Sequence, residues 1–176
     1  ATGPARETAY AVRPDPEVQL ISLDVFKQTS ATVRMKLDDA QLAWLNRVLQ
    51  KAVDDGVDWI IAQGHTPIVT PVREIGSSGL HYQEGTDSEL WKLFEKYHVD
   101  MYMCGEVHAV TMHQVGGVTQ LCHGGLFVYG FSNYVRGDIQ GGTMTITSKL
   151  FHAVPDKSTV LWQTDTHKEL PSVVPY

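Results

Sequence analysis

Apolar residues recur along the first two thirds of the chain in runs that predict alternating strands and helices. A run of strand length covers 18–23, and two further strands are predicted at 57–62 and 99–104. Between them, apolar positions recur at helical spacing after Asp38 and again after Thr86. Each of these two residues can cap a helix together with the glutamine or glutamate three positions later. The order strand, helix, strand, helix, strand predicts parallel strands joined by crossover helices.

The pattern changes after residue 108, where strands separated by turn residues replace the helices. Gly116 and Gly117 form a hairpin signal, and 155–158 form a second one. The chain is therefore interpreted as one α/β region with a mixed sheet, two flanking helices and C-terminal antiparallel hairpins. Its predicted parts are an irregular N-terminal segment at 1–16, a core at 18–125 and antiparallel strands at 126–176.

The charge and composition of the chain argue against some classes of function. The chain has 176 residues, a net charge of −6 and scattered basic residues, so we expect no nucleic-acid-binding surface. No apolar stretch approaches the ~20 residues needed to span a bilayer, so we expect no membrane segment. Cys104 and Cys122 each end a predicted strand. They could pair in an oxidising compartment, but two buried free thiols are favoured. We assign no compartment, because we expect the natural N-terminus to lie upstream.

Candidate metal ligands follow two successive predicted strands. One strand ends at Gly64-His65, and the next ends at Gly105-Glu106-Val107-His108. The carboxyl ends of parallel strands are the usual ligand site of α/β sheets, and glycine lets the backbone turn sharply there. Glu106 and His108 are two residues apart, so in an extended segment both side chains face the same way. A single histidine is more often structural, but imidazole and carboxylate together suit a divalent ion.

These segments resemble the calcineurin-like metallophosphoesterases, which include the purple acid phosphatases. Gly64-His65-Thr66-Pro67 is similar to the fourth motif of that family, and Gly105-Glu106-Val107-His108 is similar to its fifth, with Glu106 in place of the first histidine. The segments at 37–45 and 20–24 also resemble stretches upstream of the fourth motif. The resemblance implies the C-terminal half of an αββα four-layer sandwich.

By this resemblance, His65 and Glu106 bind one metal ion and His108 binds the other. Two divalent or trivalent ions of the Mn, Fe or Zn class are implied. His123, His81 and Asp24 are further candidates for lining the site, although a structural or surface role is the simpler interpretation for each.

The first three motifs of the family are absent from their expected place, including the Gly-Asn-His that supplies the acid for the leaving group. The catalytic residue is therefore unknown. We expect this chain to be one half of an enzyme whose N-terminal half is a separate chain or a removed segment. Gly137-Asp138 and Asp165-Thr166-His167 match missing motifs locally, but they lie too late in the chain and are interpreted as a turn and a polar chain end.

The leading hypothesis is a phosphatase or phosphodiesterase that is incomplete as this chain alone. One alternative is a non-catalytic binding or assembly module with a degenerate metallophosphoesterase fold. Another is a hydrolase that uses a single metal ion held by His65, Glu106 and His108. The sequence does not identify the phosphoester substrate or the metal.

Overall fold

The computed structural model describes residues 3–4, 8–124, 133–151 and 158–167. Contacts divide the chain into two compact units, Ala1–His123 and Gly124–Tyr176, and each is described by itself. That the whole chain forms one domain stays a prediction.

The described part of the first unit is a mixed α/β structure. Its strands are β1 (Tyr10–Asp15), β2 (Val18–Ser22), β3 (Phe26–Gln28), β4 (Val33–Met35), β5 (Trp59–Gln63), β6 (Met101–Cys104), β7 (Thr111–Val115) and β8 (Val118–Cys122). Its α-helices are α1 (Asp39–Asp54) and α2 (Glu89–Lys96). Six strands form one sheet in the order β1-β2-β5-β6-β8-β7, and β3 pairs with β4. Strands β2, β5, β6 and β8 are parallel, while β1 and β7 are antiparallel edge strands. The predicted parallel core and the β7–β8 hairpin are confirmed.

Strand β1 corrects the prediction that residues 1–16 are irregular. It pairs antiparallel with β2, with Tyr10 opposite Ser22. Pro14 disfavours a strand in the sequence pattern, but proline is tolerated on an edge strand because no neighbouring strand there requires its missing N–H group. The connection to β2 is short, and the Glu17 backbone N–H donates to the Asp15 carboxylate at 3.0 Å.

The helix caps agree only in part with the predicted capping boxes. Asp38 caps α1, because its Oδ1 accepts from the backbone N–H of Gln41 at 2.7 Å. The Gln41 side chain does not reach back to Asp38, since it bonds both backbone groups of Asp24 at 2.9 Å each. The cap of α2 is Ser88, so the prediction of Thr86 was wrong by two residues. No helix in the described ranges is long and apolar enough to cross a membrane.

The core lies between the helices and one face of the sheet. Its buried apolar helix residues are Leu42, Trp44, Leu45, Leu49, Ala52, Leu90, Trp91 and Phe94. They belong to one cluster with the sheet residues Ile21, Ile60, Ala62, Tyr102, Cys104 and Cys122. Both cysteines are free and buried in this structure, as favoured from the sequence.

The opposite face of the sheet is apolar and partly open near its β1 edge. Tyr10 and Val12 are 39% and 44% exposed. A groove of about 120 Å³ lies beside them, with Leu20, Ile61 and Met103 among its lining residues. This region therefore leaves apolar sheet surface accessible to solvent.

The second unit contains a three-stranded antiparallel sheet in its described part. Its strands are β9 (Asn133–Gln140), β10 (Thr143–Phe151) and β11 (Ser158–His167), in the order β11-β10-β9. The pairing of β10 with β11 confirms the predicted hairpin, whose connecting residues 152–157 lie outside the described residues. Gly137 and Asp138 lie inside β9, so the predicted turn is wrong. Residues 165–167 belong to β11 and are not a polar chain end.

Candidate metal centre

Strands β5 and β6 end side by side, and their hydrogen-bonding pattern continues into the turns that follow. The Gly64 N–H donates to the Met103 carbonyl at 3.0 Å, and the Gly105 N–H donates to the His65 carbonyl at 2.9 Å. Gly64 leaves no room for a side chain, because a Cβ atom there would lie 2.5 Å from the Tyr102 hydroxyl oxygen. These contacts fix the backbone that carries His65 and Glu106.

The side chains of His65 and Glu106 meet at this edge of the sheet. His65 Nε2 lies 2.8 Å from Glu106 Oε2. The Glu106 side chain is only 10% exposed, whereas that of His65 is 52% exposed. The Phe26 ring packs near the imidazole, with 5.7 Å between ring centroids. Two of the three predicted ligands therefore come together.

The Glu106 carboxylate also holds the loop that follows His65. Its Oε1 accepts from the Ser78 hydroxyl and from the Ser78 backbone N–H at 3.3 Å. Burial alone would raise the pKa of Glu106, but the hydrogen bonds from Ser78 and His65 outweigh it and lower that pKa below its ordinary value. The carboxyl is thus ionised at neutral pH, which is the form that binds metal ions.

His108 points to a different partner. Its Nδ1 lies 2.6 Å from the Gly76 carbonyl oxygen, and Arg73 donates to the His108 carbonyl at 3.1 Å. Glu106 and His108 have φ angles of 68° and 49°, in the left-handed region that costs a non-glycine residue about 1–2 kcal/mol. The segment is therefore bent, so the predicted extended geometry is wrong, although Glu106 and His108 both contact the loop after His65, at Ser78 and Gly76. Within the described ranges, no three His, Cys, Asp or Glu side chains are grouped so that they could hold a metal ion.

The start of the loop after His65 is fixed by two buried side chains of neighbouring strands. Gln120 of β8 is 2% exposed, and its Oε1 accepts from the backbone N–H groups of Ile68 at 2.6 Å and Val69 at 2.8 Å. The Tyr102 hydroxyl of β6 donates to the Thr66 carbonyl at 2.8 Å. Burial raises the pKa of Tyr102, so this hydroxyl keeps its proton.

The contacts of two further candidates, His123 and His81, do not involve His65 or Glu106. His123 follows β8 at the same edge of the sheet, is exposed, and is held through its backbone N–H, which donates to the Cys104 carbonyl at 3.0 Å. His81 is exposed, and its Nδ1 lies 3.2 Å from the Gly79 carbonyl oxygen. The contact of His81 is therefore local to its own loop.

Asp24 stabilises the segments around the site. Its carboxylate accepts from the Thr8 hydroxyl at 2.9 Å and from the Phe26 backbone N–H at 3.1 Å. Asp24 therefore positions Phe26, whose ring packs near His65, and contributes to the site only indirectly.

Ser78 and Phe26 also contact the site, and neither was predicted from the sequence. Ser78 lies in the Gly-Ser-rich loop after His65, but nothing in the local pattern distinguishes it from Ser77 beside it. Phe26 follows the first predicted strand, and only the three-dimensional pairing of β3 with β4 shows its position next to the imidazole.

Comparisons with known proteins identify the fold. No protein-family model matches the sequence, and no curated protein does either. Solved structures do match, among them purple acid phosphatase PPD1 from yellow lupin (Lupinus luteus) seeds, with a TM-score of 0.62 at 15% identity. This chain has a partial calcineurin-like metallophosphoesterase fold. GAP50 of Plasmodium also matches, with a TM-score of 0.55 at 17% identity.

This chain aligns with only part of each matched protein. The phosphatase alignment covers 92% of this chain and 33% of the phosphatase, and the GAP50 alignment covers 86% of this chain and 50% of GAP50. This chain therefore spans about a third of one protein and half of the other. At such low identity the matches establish the fold, and the resemblance stated from the motifs is confirmed at that level.

Proposed function

We propose that this chain supplies part of a dinuclear metal site in a phosphoester hydrolase. The observation that carries the proposal is the convergence of His65 and Glu106, which follow neighbouring parallel strands of a partial metallophosphoesterase fold. Ligand sites of open α/β sheets lie outside the carboxyl ends of strands, where these two side chains meet.

The donor atoms lie close enough for a metal ion to replace their hydrogen bond. Bonds of imidazole nitrogen and carboxylate oxygen to ions of the Zn class are about 2.0–2.2 Å long, so two adjacent ligand atoms of a tetrahedral site lie ~3.4 Å apart. His65 Nε2 and Glu106 Oε2 are separated by 2.8 Å, so they would move apart by roughly 0.6 Å to bind one ion. When bound, a pair of such ions polarises phosphate oxygens and activates water for attack. His65 and Glu106 would hold one ion, and His108 would contribute to the other after its contact with Gly76 is released.

The remaining ligands and the acid for the leaving group would come from an N-terminal half. Partial coverage of the phosphatase supports this proposal, since two thirds of that protein have no counterpart in the aligned chain. The apolar sheet surface around Tyr10 and Val12 offers a place where another layer could pack. Phosphate mono- or diesters are the proposed substrates, and the resemblance does not distinguish between them.

A non-catalytic assembly module is the second candidate. GAP50, which shares the fold, is described as the anchor in the inner membrane complex of Plasmodium. Hydrogen bonds with His65 and Ser78 also satisfy the Glu106 carboxylate without a metal ion, as a degenerate site would require. A single-metal hydrolase is less well supported, because His108 contacts Gly76.

Metal titration separates these candidates. Calorimetry of the chelator-treated chain with Zn²⁺ and Mn²⁺ should detect an ion that is lost in His65→Ala and Glu106→Gln variants. His113→Ala is the matched control, because His113 is exposed on β7. Binding that is unchanged in the His65 and Glu106 variants would overturn the ligand assignment.

An activity assay then tests the hydrolase itself. An N-terminal half should be supplied from a purple acid phosphatase of known sequence, and hydrolysis of p-nitrophenyl phosphate and its diester measured. Hydrolysis that depends on His65, His108 and added metal supports the enzyme. Stable association of the two halves with neither metal binding nor turnover supports the assembly module.

A further inference from the structure

Two cysteines face each other across adjacent strands. Cys104 ends β6, Cys122 ends β8, and the two residues are direct partners in the parallel register. Their Sγ atoms lie 2.7 Å apart, and the residues are 2% and 1% exposed. Both side chains thus point to the helix-covered face of the sheet, where the core cluster surrounds them.

The backbone is already arranged for a bond between these two sulfur atoms. Neighbouring strands lie about 4.7–4.9 Å apart, and disulfides bridge Cα atoms that are about 4.4–6.8 Å apart. The sulfur atoms need to approach by roughly 0.7 Å to reach the disulfide length of about 2.05 Å. Only a small approach of the two sulfur atoms is therefore needed.

A metal-thiolate site does not explain the pair. Such a site needs three or four ligands, and the described residues contain no group of three His, Cys, Asp or Glu side chains placed to hold an ion. Ordinary core packing requires small apolar side chains at these positions, but it does not require two thiols in register at contact distance.

We propose that Cys104 and Cys122 form a reversible thiol–disulfide pair. Because both thiols are almost fully buried, the proposed oxidant is small, namely hydrogen peroxide. One thiolate attacks the peroxide and becomes a sulfenic acid as one water leaves. The second thiol then attacks that sulfur, the S–S bond forms, and a second water leaves. Two electrons pass from the two sulfur atoms to the peroxide, and a dithiol reductant reverses the change.

The bond would tie together the ends of β6 and β8 next to the turns that carry Glu106 and His123. The backbone already joins them there, since the His123 N–H donates to the Cys104 carbonyl. Oxidation should therefore stabilise the ends of these strands. The inference does not depend on metal binding or on hydrolysis.

Mass spectrometry of the full 176-residue chain tests the proposal. After treatment with a slight excess of hydrogen peroxide, the intact mass should fall by two hydrogen atoms. Peptide mapping should show a link between Cys104 and Cys122, and dithiothreitol should restore two alkylatable thiols. The oxidised chain should unfold roughly 5–10 °C above the reduced chain. A chain purified in the oxidised form with the same link supports the proposal as well.

Single Cys104→Ser and Cys122→Ser variants provide the controls. Each should lose the intramolecular link and should instead gain oxygen at its remaining thiol. The proposal is overturned if both thiols of the native chain gain oxygen separately, or if both stay alkylatable after peroxide treatment. The mapping of the native chain does not depend on the folding of either variant.

Discussion

The contact between Gln120 and the loop after His65 permits a quantitative test of what fixes the metal-centre backbone. Gln120 is buried in β8, and its side-chain oxygen accepts two backbone N–H groups, those of Ile68 and Val69. Its amide nitrogen also donates to the Val69 carbonyl at 3.3 Å. The Gln120→Met substitution keeps the length of the side chain and removes all three hydrogen bonds.

The cost follows from the groups left without partners. A buried N–H that loses its acceptor costs about 1–3 kcal/mol, so two such groups cost about 2–6 kcal/mol. The more apolar methionine offsets about 1 kcal/mol of this loss. We therefore expect the free energy of unfolding to fall by roughly 1–5 kcal/mol. Gln114→Met is the matched control, because Gln114 is exposed on β7, and its effect should stay below about 0.5 kcal/mol.

Urea unfolding followed by tryptophan fluorescence measures the loss, and hydrogen exchange locates it. The amides of Ile68 and Val69 should exchange faster in Gln120→Met, while amides in α1 should change only as far as global stability does. If the two variants have equal stability and the Ile68 and Val69 amides stay protected, Gln120 does not fix this loop and the reasoning is refuted.

Three further predictions concern single side chains. Ser78→Ala removes the hydroxyl hydrogen bond to Glu106 Oε1 and keeps the one from the backbone N–H, so calorimetry should show tighter Zn²⁺ binding; equal or weaker binding contradicts a ligand role for Glu106. Burial raises the pKa of Tyr82 to about 12. The folded state favours the neutral hydroxyl, so the stability that this hydroxyl contributes should be complete below pH ~10 and should be lost as the pH rises towards 12. In unfolding measured as a function of pH, Tyr82→Phe should lack this loss of stability. Gly64→Ala places a Cβ 2.5 Å from a buried tyrosine hydroxyl, so it should lower the Tm, whereas Gly137→Ala, with its nearest atom at 4.0 Å, should be tolerated; equal Tm values contradict the packing argument.

The parts of the fold that were predictable depend on local pattern. Apolar runs of strand length, helical periodicity and glycines after strands specify β2, β5 and β6 and bring His65 and Glu106 to one edge of the sheet. Strand β1 was not predictable in this way. Its partner β2 supplies the pairing, while Pro14 and exposed polar positions conceal the alternation within β1 itself.

The site differs from its prediction where tertiary contacts override local spacing. Two-residue spacing places Glu106 and His108 on one side only if the backbone is extended, and both residues adopt positive φ instead. Gln41 has the spacing of a capping-box residue, but its side chain binds the end of β2 because both backbone groups of Asp24 need partners there. Neither outcome follows from sequence spacing alone.

Glu106 occupies the position where the family motif has histidine, and one substitution can show which role it has. If the carboxylate serves only as the partner of His65, Glu106→His removes a partly exposed hydrogen-bonded contact, lowers stability by at most about 1 kcal/mol and creates no metal binding. If Glu106 is a ligand, the same substitution replaces a charged oxygen donor by a neutral nitrogen donor. Zn²⁺ should then bind at least as well, while Mn²⁺, which prefers oxygen ligands, should bind more weakly. Titrating the variant and the native chain with both ions therefore distinguishes a metal ligand from a carboxylate that only hydrogen-bonds with His65. A Zn²⁺-to-Mn²⁺ preference that the substitution does not change would refute the ligand assignment.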